Sequence, residues 1–274
     1  MVFFLTQAVI ILATISICGV FLTIIPVQDA DSQQQEQQKQ QLSADAIFKM
    51  VEKSIVGITT PETIEKEEED DDSDSDLKYD GSGFVYAKED ENIVQIVTNE
   101  HVIEDSDTVR VTFSDGSTYT ANVLGSDSQG DIAVLEIIMN SSTTQQQQSP
   151  EPLAIGNSSE LQIGEPAIAI GYPFLGEQSF SNLLTSGVIS EIGIDVRGFG
   201  EEEEDEEEDI PPILNAIVTD AAIADGNSGG PLFNIEGQVI GMTTTSDEDS
   251  PCCTYAIPSN TITRIVPVLV ENGE

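Results

Sequence analysis

Positive charge is what this sequence has least of. Nine Lys and Arg stand against 50 Asp and Glu in 274 residues, a formal charge of −41. Such a surface repels the phosphates of DNA and RNA and anionic lipid headgroups, so no nucleic-acid partner is expected. Histidine is almost missing too: His101 is the only one. With three cysteines and no CxxC pair, soft ligands are too few for a zinc site, and no metal or cofactor is expected. Cys18 lies in an apolar stretch, while Cys252 and Cys253 are neighbours whose direct bond would be strained. The fold is therefore read as independent of disulfides. The acidic excess is uneven. Much of it falls in two runs, Glu65–Asp76 and Glu201–Asp209, where like charge is too dense to pack and a solvated loop is expected.

Residues Val2 to Gln28 carry no charged side chain, and Ala8 to Ile25 is almost continuously apolar. About 20 residues rising 1.5 Å each span a bilayer core. Residues 1–28 are read as a transmembrane anchor, with a cleaved signal segment as the alternative. Gln28-Asp29-Ala30 is a poor small-residue cleavage site, and no Lys or Arg precedes Lys39 to set an orientation. Both readings export the remainder of the chain, so an extracytoplasmic location is expected, membrane-anchored or secreted. Residues 29–42 are glutamine-rich and read as a polar linker.

The rest, 43–274, is long enough for one large domain or two small ones sharing a core. Ser43–Lys53 reads as a short helix with Ser43 as its N-cap. Six runs rich in Val and Ile come next: Ser54–Thr59, Gly83–Ala87, Ile93–Thr98, Thr108–Phe113, Tyr119–Leu124 and Ile132–Ile138. Asp115-Gly116 suits a hairpin turn. A polar tract, Asn140–Pro152, then interrupts the pattern. Six more runs come after it: Ala167–Gly171, Leu184–Ile192, Leu214–Thr219, Pro231–Asn234, Val239–Thr245 and Thr254–Ile257. A closing helix is expected over Ser259–Val270. The fold class is thus all-β: two six-stranded antiparallel β-barrels, about 54–140 and about 153–258, with short terminal helices.

Three segments carry chemistry. In Gly226-Asn227-Ser228-Gly229-Gly230, a serine sits among glycines, where backbone can turn sharply and approach another molecule. Such a turn can aim the N–H groups of Gly226 and Ser228 at one point, as oxyanion stabilisation requires, and the backbone of Asn227 between them is counted in the same oxyanion hole. By itself this is as well explained by an ordinary Gly-rich turn. His101 follows a strand, and a lone histidine is by itself more often a surface residue. Asp131 opens a strand, which is ordinary turn chemistry. Together and in this order, the three supply what a nucleophile, its base and the base's orienting group need.

These blocks, TNEHVI at 98–103, GDIAVLEI at 130–137 and GNSGGPL at 226–232, resemble the signature segments of the HtrA/DegP-type trypsin-like serine proteases. Gly81–Val85, Ala169–Phe174, Thr185–Ser190, Thr219–Ile223 and Tyr255–Asn260 match in family order. The resemblance implies a double barrel with the active site between the barrels. It makes Ser228 the nucleophile, His101 the general base and then acid, and Asp131 the holder of the imidazole tautomer. It implies protein or peptide substrates and allows a homo-oligomer, a trimer being common in the family. Family members usually continue into PDZ domains, for which 43–274 holds no room. Basic specificity in trypsin-like enzymes comes from an acid six residues before the serine. Here that residue is Ala222, and a small apolar pocket built with Ile223, Thr243 and Thr244 is expected. Asp220 and Asp225 are near enough in sequence to compete with that reading. The expectation is an exported endopeptidase for unfolded or damaged proteins. The alternatives are a non-catalytic chaperone or binding module on the same fold, and an acidic surface protein, which would leave the three motifs unexplained.

Overall fold

The computed structural model describes residues 42–64, 79–90, 92–103, 106–139, 150–175, 178–196, 213–246 and 253–273, all within one compact unit, Leu42–Glu274. The apolar segment at 1–28, both acidic runs and most of the Asn140–Pro152 tract lie outside the described residues.

The chain enters through a helix at Ala44–Val51. Ser43 caps it by accepting the Ala46 N–H, and Ile47 and Val51 turn into the core. A tighter turn over Glu52–Ser54 then delivers the chain to β1 (Ile55–Thr59). β2 (Gly81–Lys88), β3 (Ile93–Thr98), β4 (Thr108–Phe113), β5 (Thr118–Asp127) and β6 (Ile132–Ile138) complete a closed barrel in the order β1-β2-β3-β6-β5-β4. All neighbours are antiparallel. The β4–β5 hairpin turns at Asp115-Gly116, where Gly116 takes φ +81 and Asp115 Oδ1 accepts the Ser117 N–H at 2.9 Å. β5 runs on past Leu124 by means of a bulge between Val123 and Gly125, which the apolar pattern alone does not announce.

The second barrel is built from β7 (Pro166–Gly171), β10 (Leu183–Val196), β11 (Ile213–Thr219), β12 (Pro231–Phe233), β13 (Val239–Ser246) and β14 (Thr254–Pro258), in the order β10-β11-β14-β13-β12-β7. β8 (Phe174–Leu175) and β9 (Gln178–Ser179) form a separate small hairpin. With two residues per strand, it offers no periodicity to read. β10 is longer than the apolar run suggests, and three register shifts against β11 let it bend.

Each barrel has its own interior. Val56, Val85, Ile96, Val111 and Leu135 fill the first, and Ala169, Ile189, Ile217, Leu232 and Ile240 the second. A further cluster joins Ile55, Phe84 and Val134 to Ile168, Ile170, Tyr172 and Met242, and so welds the barrels together. The closing helix, Ser259–Asn272, reaches from the second barrel back across β5 and β6. Ile262, Val266 and Leu269 share its inner face, and Gly273 ends it in the left-handed region at φ +82. At the barrel junction Tyr172 packs edge-on to Tyr79, ring centroids 5.1 Å apart, and its hydroxyl donates to the Ile55 carbonyl.

Candidate active site

The two barrels present three loops to one another. His101 stands in the turn after β3, with its side chain about half exposed. Asp131 sits just before β6, at φ +50, a left-handed backbone uncommon for non-glycine residues and taken most often by Asn and Asp. Both carboxylate oxygens of Asp131 lie 3.0 Å from His101 Nδ1, and Oδ1 also accepts the His101 backbone N–H at 3.1 Å. Facing an acceptor, Nδ1 carries the proton, which puts the lone pair of the neutral ring on Nε2.

Two neighbours hold that carboxylate. The Asn99 amide, fully buried, donates to the Asp131 carbonyl and to Oδ2, each at 2.9 Å. From β13 of the other barrel, Thr244 Oγ1 donates to Oδ2 at 2.7 Å.

Ser228 lies in the loop between β11 and β12, again across the barrel boundary. Its hydroxyl donates to the Thr244 carbonyl. The loop owes its shape to a series of fixed peptide planes. Asn227 N–H closes a turn on the Ala224 carbonyl at 3.0 Å. The Asn227 carbonyl accepts from Gly230 N–H at 2.9 Å and from Thr243 Oγ1 at 2.8 Å. Gly229 N–H donates to the Thr243 carbonyl at 2.8 Å. In a trans peptide the carbonyl and the N–H point in opposite directions. With the Asn227 carbonyl turned into the protein, the Ser228 N–H is therefore turned out of it. Among the described residues neither Gly226 N–H nor Ser228 N–H has a hydrogen-bond acceptor. Gly226 and Gly229 take φ +87 and +84, the left-handed values that make such a loop a glycine loop.

A trypsin-like peptidase domain model matches residues 81–242, a span that includes all three loops. The chain belongs to that family. Curated relatives of the HtrA/DegP type align with it: serine protease Do-like HtrB of Bacillus subtilis is 40% identical over 200 residues, covering 70% of this chain and 39% of the relative. The Do-like HtrA of the same organism is 36% identical over 228 residues, 81% of this chain and 47% of the relative. The probable periplasmic serine endoprotease DegP-like of Chlamydia trachomatis is 40% identical over 197 residues, 71% of this chain and 34% of the relative. The chain thus spans less than half the length of these relatives. Among solved structures, the serine endoprotease from Yersinia pestis superimposes with a TM-score of 0.59 at 27% identity, covering 85% of this chain and 68% of that one. The HtrA-type protease AlgW with tripeptide gives 0.62 at 25% identity, covering 85% and 65%. The two closed six-stranded barrels are those of the HtrA trypsin-like fold.

Several residues stand differently from the sequence expectation. The sequence puts Asn227 with the oxyanion donors, whereas its N–H donates to the Ala224 carbonyl. The expected substrate pocket includes Thr243 and Thr244, yet their side chains are buried and committed elsewhere. Thr243 Oγ1 braces the serine loop and Thr244 Oγ1 holds Asp131. Most buried hydroxyls find a partner, and here the acceptors belong to the site's frame. Ala222 is exposed, and Ile223 is half-buried against the second-barrel core. Asp220 Oδ1 accepts the Val188 N–H at 2.6 Å, tight against Gly187, where a Cβ would collide with it. The residues the motifs do not assign are Asn99 and Ser82. Asn99 sits inside TNEHVI, two places before the histidine, and Ser82 inside the Gly81–Val85 match. Both belong to signature blocks, but no local pattern says which side chains in a block turn inward.

Proposed function

We propose that the chain is an exported serine endopeptidase in which Ser228 is the nucleophile, His101 the general base and acid, and Asp131 the orienting group. The observation that carries this reading is the Asp131 carboxylate, with both oxygens 3.0 Å from His101 Nδ1, fixing the tautomer that leaves Nε2 basic. The Ser228 hydroxyl, resting on the Thr244 carbonyl, rotates toward the imidazole when substrate arrives. Oγ then adds to the scissile carbonyl carbon as Nε2 takes its proton. The carbonyl oxygen becomes an oxyanion held by the N–H groups of Gly226 and Ser228. Each such donor is worth roughly 100- to 1,000-fold in kcat. Collapse breaks the C–N bond, and His101 hands its proton to the leaving amine. Water, deprotonated by His101, releases the acyl group from Ser228 by the same path in reverse.

Exposed Ala222 beside Ile223, with Asp220 engaged by Val188, supports small or medium aliphatic residues as the preferred side chains before the cut. Unfolded or damaged proteins are the substrate class we propose, since relatives named as periplasmic endoproteases share the fold and motifs. The uncharged, apolar residues 1–28 support export through an anchor or a signal segment, and a homo-oligomer, a trimer among them, rests on the family resemblance.

Labelling with a fluorophosphonate probe tests the assignment and separates it from a non-catalytic binding module. Wild type is expected to label at Ser228, and Ser228→Ala to lose both label and peptidase activity down to a small residue. The kcat/KM of wild type is expected to rise with pH through one imidazole ionisation, a limb that vanishes in His101→Ala together with activity. An unlabelled wild type points to the binding module, and a fully active Ser228→Ala ends the serine assignment.

A further inference from the structure

Ser82 uses every polar atom it has. It lies on β2 of the first barrel, fully buried. Its N–H donates to the Ser228 carbonyl at 2.7 Å. Its carbonyl accepts from Thr98 Oγ1 at 2.7 Å. Its hydroxyl donates to the Gly226 carbonyl at 2.6 Å and accepts the Tyr172 N–H at 2.8 Å. Three of these four bonds cross to the second barrel, and two end on the serine loop. Gly171 and Gly229 are packed so tightly against it that a Cβ at either would collide with Ser82 atoms.

We infer that Ser82 is a positioning residue for oxyanion stabilisation: its hydroxyl and amide lock the peptide planes on either side of the Asn227–Ser228 bond. This rests on the assignment of Ser228 as nucleophile. The Gly226–Asn227 peptide is gripped from both ends, its carbonyl by Ser82 Oγ and its N–H by the Ala224 carbonyl. The Ser228–Gly229 peptide is gripped likewise, its carbonyl by Ser82 N–H and its N–H by the Thr243 carbonyl. Gly226 is free to take many backbone conformations, so one anchored carbonyl decides which of them the loop keeps. Without the hydroxyl, the Gly226 carbonyl is an unpartnered buried acceptor, and the peptide can turn to seek another donor. The turn would carry Asn227 with it and tilt the next peptide, so that the Ser228 N–H is aimed away from the oxyanion. The hydroxyl does not touch substrate, and its effect falls where charge develops.

That effect has a signature a purely structural bond lacks. A peptide aldehyde, built on a sequence the wild type cleaves, adds Ser228 Oγ to its carbonyl carbon and places the resulting hemiacetal oxygen in the oxyanion site. The amine-side product peptide from the same cleavage lacks that carbonyl and does not load that site. In Ser82→Ala, kcat/KM and aldehyde affinity are expected to fall together by about tenfold or more, with product affinity within twofold of wild type. Ser259→Ala is the control. It removes a comparable buried hydroxyl-to-carbonyl bond, to Gly156, and is expected to lower Tm without moving aldehyde affinity relative to product. Ser82→Cys, similar in size with a weaker donor, is expected to fall between wild type and Ser82→Ala, and it carries the test if Ser82→Ala does not fold. Aldehyde affinity unchanged in either Ser82 variant, or lowered equally in Ser259→Ala, overturns the proposal. Fluorophosphonate labelling of wild type at Ser228, run alongside, keeps the two failures apart. Absent label sinks the nucleophile assignment, whereas a labelled wild type with unaffected Ser82 variants sinks only the role of Ser82.

Discussion

Replacing Asn99 with alanine isolates how Asp131 is held. The amide donates to the Asp131 carbonyl and to its carboxylate, both at 2.9 Å, and so ties the backbone and the side chain of one residue to one buried group. The bond to a charged acceptor is worth about 1.5–3 kcal/mol and the neutral one about 0.5–1.5 kcal/mol. Their loss also loosens the turn in which Asp131 stands at φ +50. Asn99→Ala should therefore lose about 2–4 kcal/mol of stability. At about 2–4 °C per kcal/mol for a domain of this size, Tm should drop by roughly 5–15 °C. Measuring this in a Ser228→Ala background prevents self-digestion from distorting the melt. In the active protein kcat should fall at least about tenfold with KM little changed, because the imidazole is misoriented while the substrate surface is intact. Asn99→Asp keeps the shape but sets a second carboxylate against the first, and should be worse than alanine in kcat. A cycle pairing Asn99→Ala with Asp131→Ala should show coupling of at least about 1 kcal/mol. If Asn99→Ala melts within 2 °C of its parent and keeps kcat, or if aspartate is tolerated better than alanine, the reasoning is refuted.

Other perturbations probe separate parts of the frame. Gly229→Ala forces a Cβ into the Ser82 carbonyl and the Thr98 hydroxyl at φ +84, so a loss of about 2–4 kcal/mol in chemical denaturation and near-complete loss of activity are expected. A variant that is stable and active would contradict the tight cross-barrel seam. Cleavage sites in denatured casein, mapped by mass spectrometry, should follow Val, Ala, Ile or Leu with broad tolerance, since an apolar pocket separates methylenes by only about 1–3 kcal/mol. A majority after Lys or Arg would mean that an acid reaches the pocket after all. Burial pushes the Tyr172 phenol above its ordinary range, so above about pH 10 the unfolded chain loses a proton that the folded one keeps. Stability should then fall as pH rises through that region, and Tyr172→Phe should flatten the fall. An unchanged alkaline limb would show that Tyr172 does not contribute to it.

Much of the fold is legible in the sequence because its signals are local. Alternating Val and Ile runs mark strands wherever one face meets a core, and Gly or Asp at their ends marks where they turn. β3, β4 and β6 coincide with their apolar runs for that reason. Where a strand continues through a bulge, as β5 does at Gly125 and β10 past Ile192, the period slips and the run stops too early. β2 is longer than its apolar run for a different reason. Gly81 and Ser82 look like turn punctuation, yet they are strand residues kept small by Val102 and the serine loop pressing on them.

Residue identity supplied the groups available: one histidine, a serine in a Gly-rich loop, and an aspartate at a strand start, in the order that trypsin-like peptidases use. Those choices are chemical, and chemistry resides in residue identity. Tertiary structure alone decided which groups serve the frame. Thr244 holds Asp131 because β13 of one barrel passes the β5–β6 turn of the other. Asn227 spends its N–H on the Ala224 carbonyl because a tight turn brings the two together. Ser82 meets Gly226 across 144 positions of chain. Contacts at that separation depend on how two barrels dock, a consequence of the whole apolar seam between them, which no window along the chain contains.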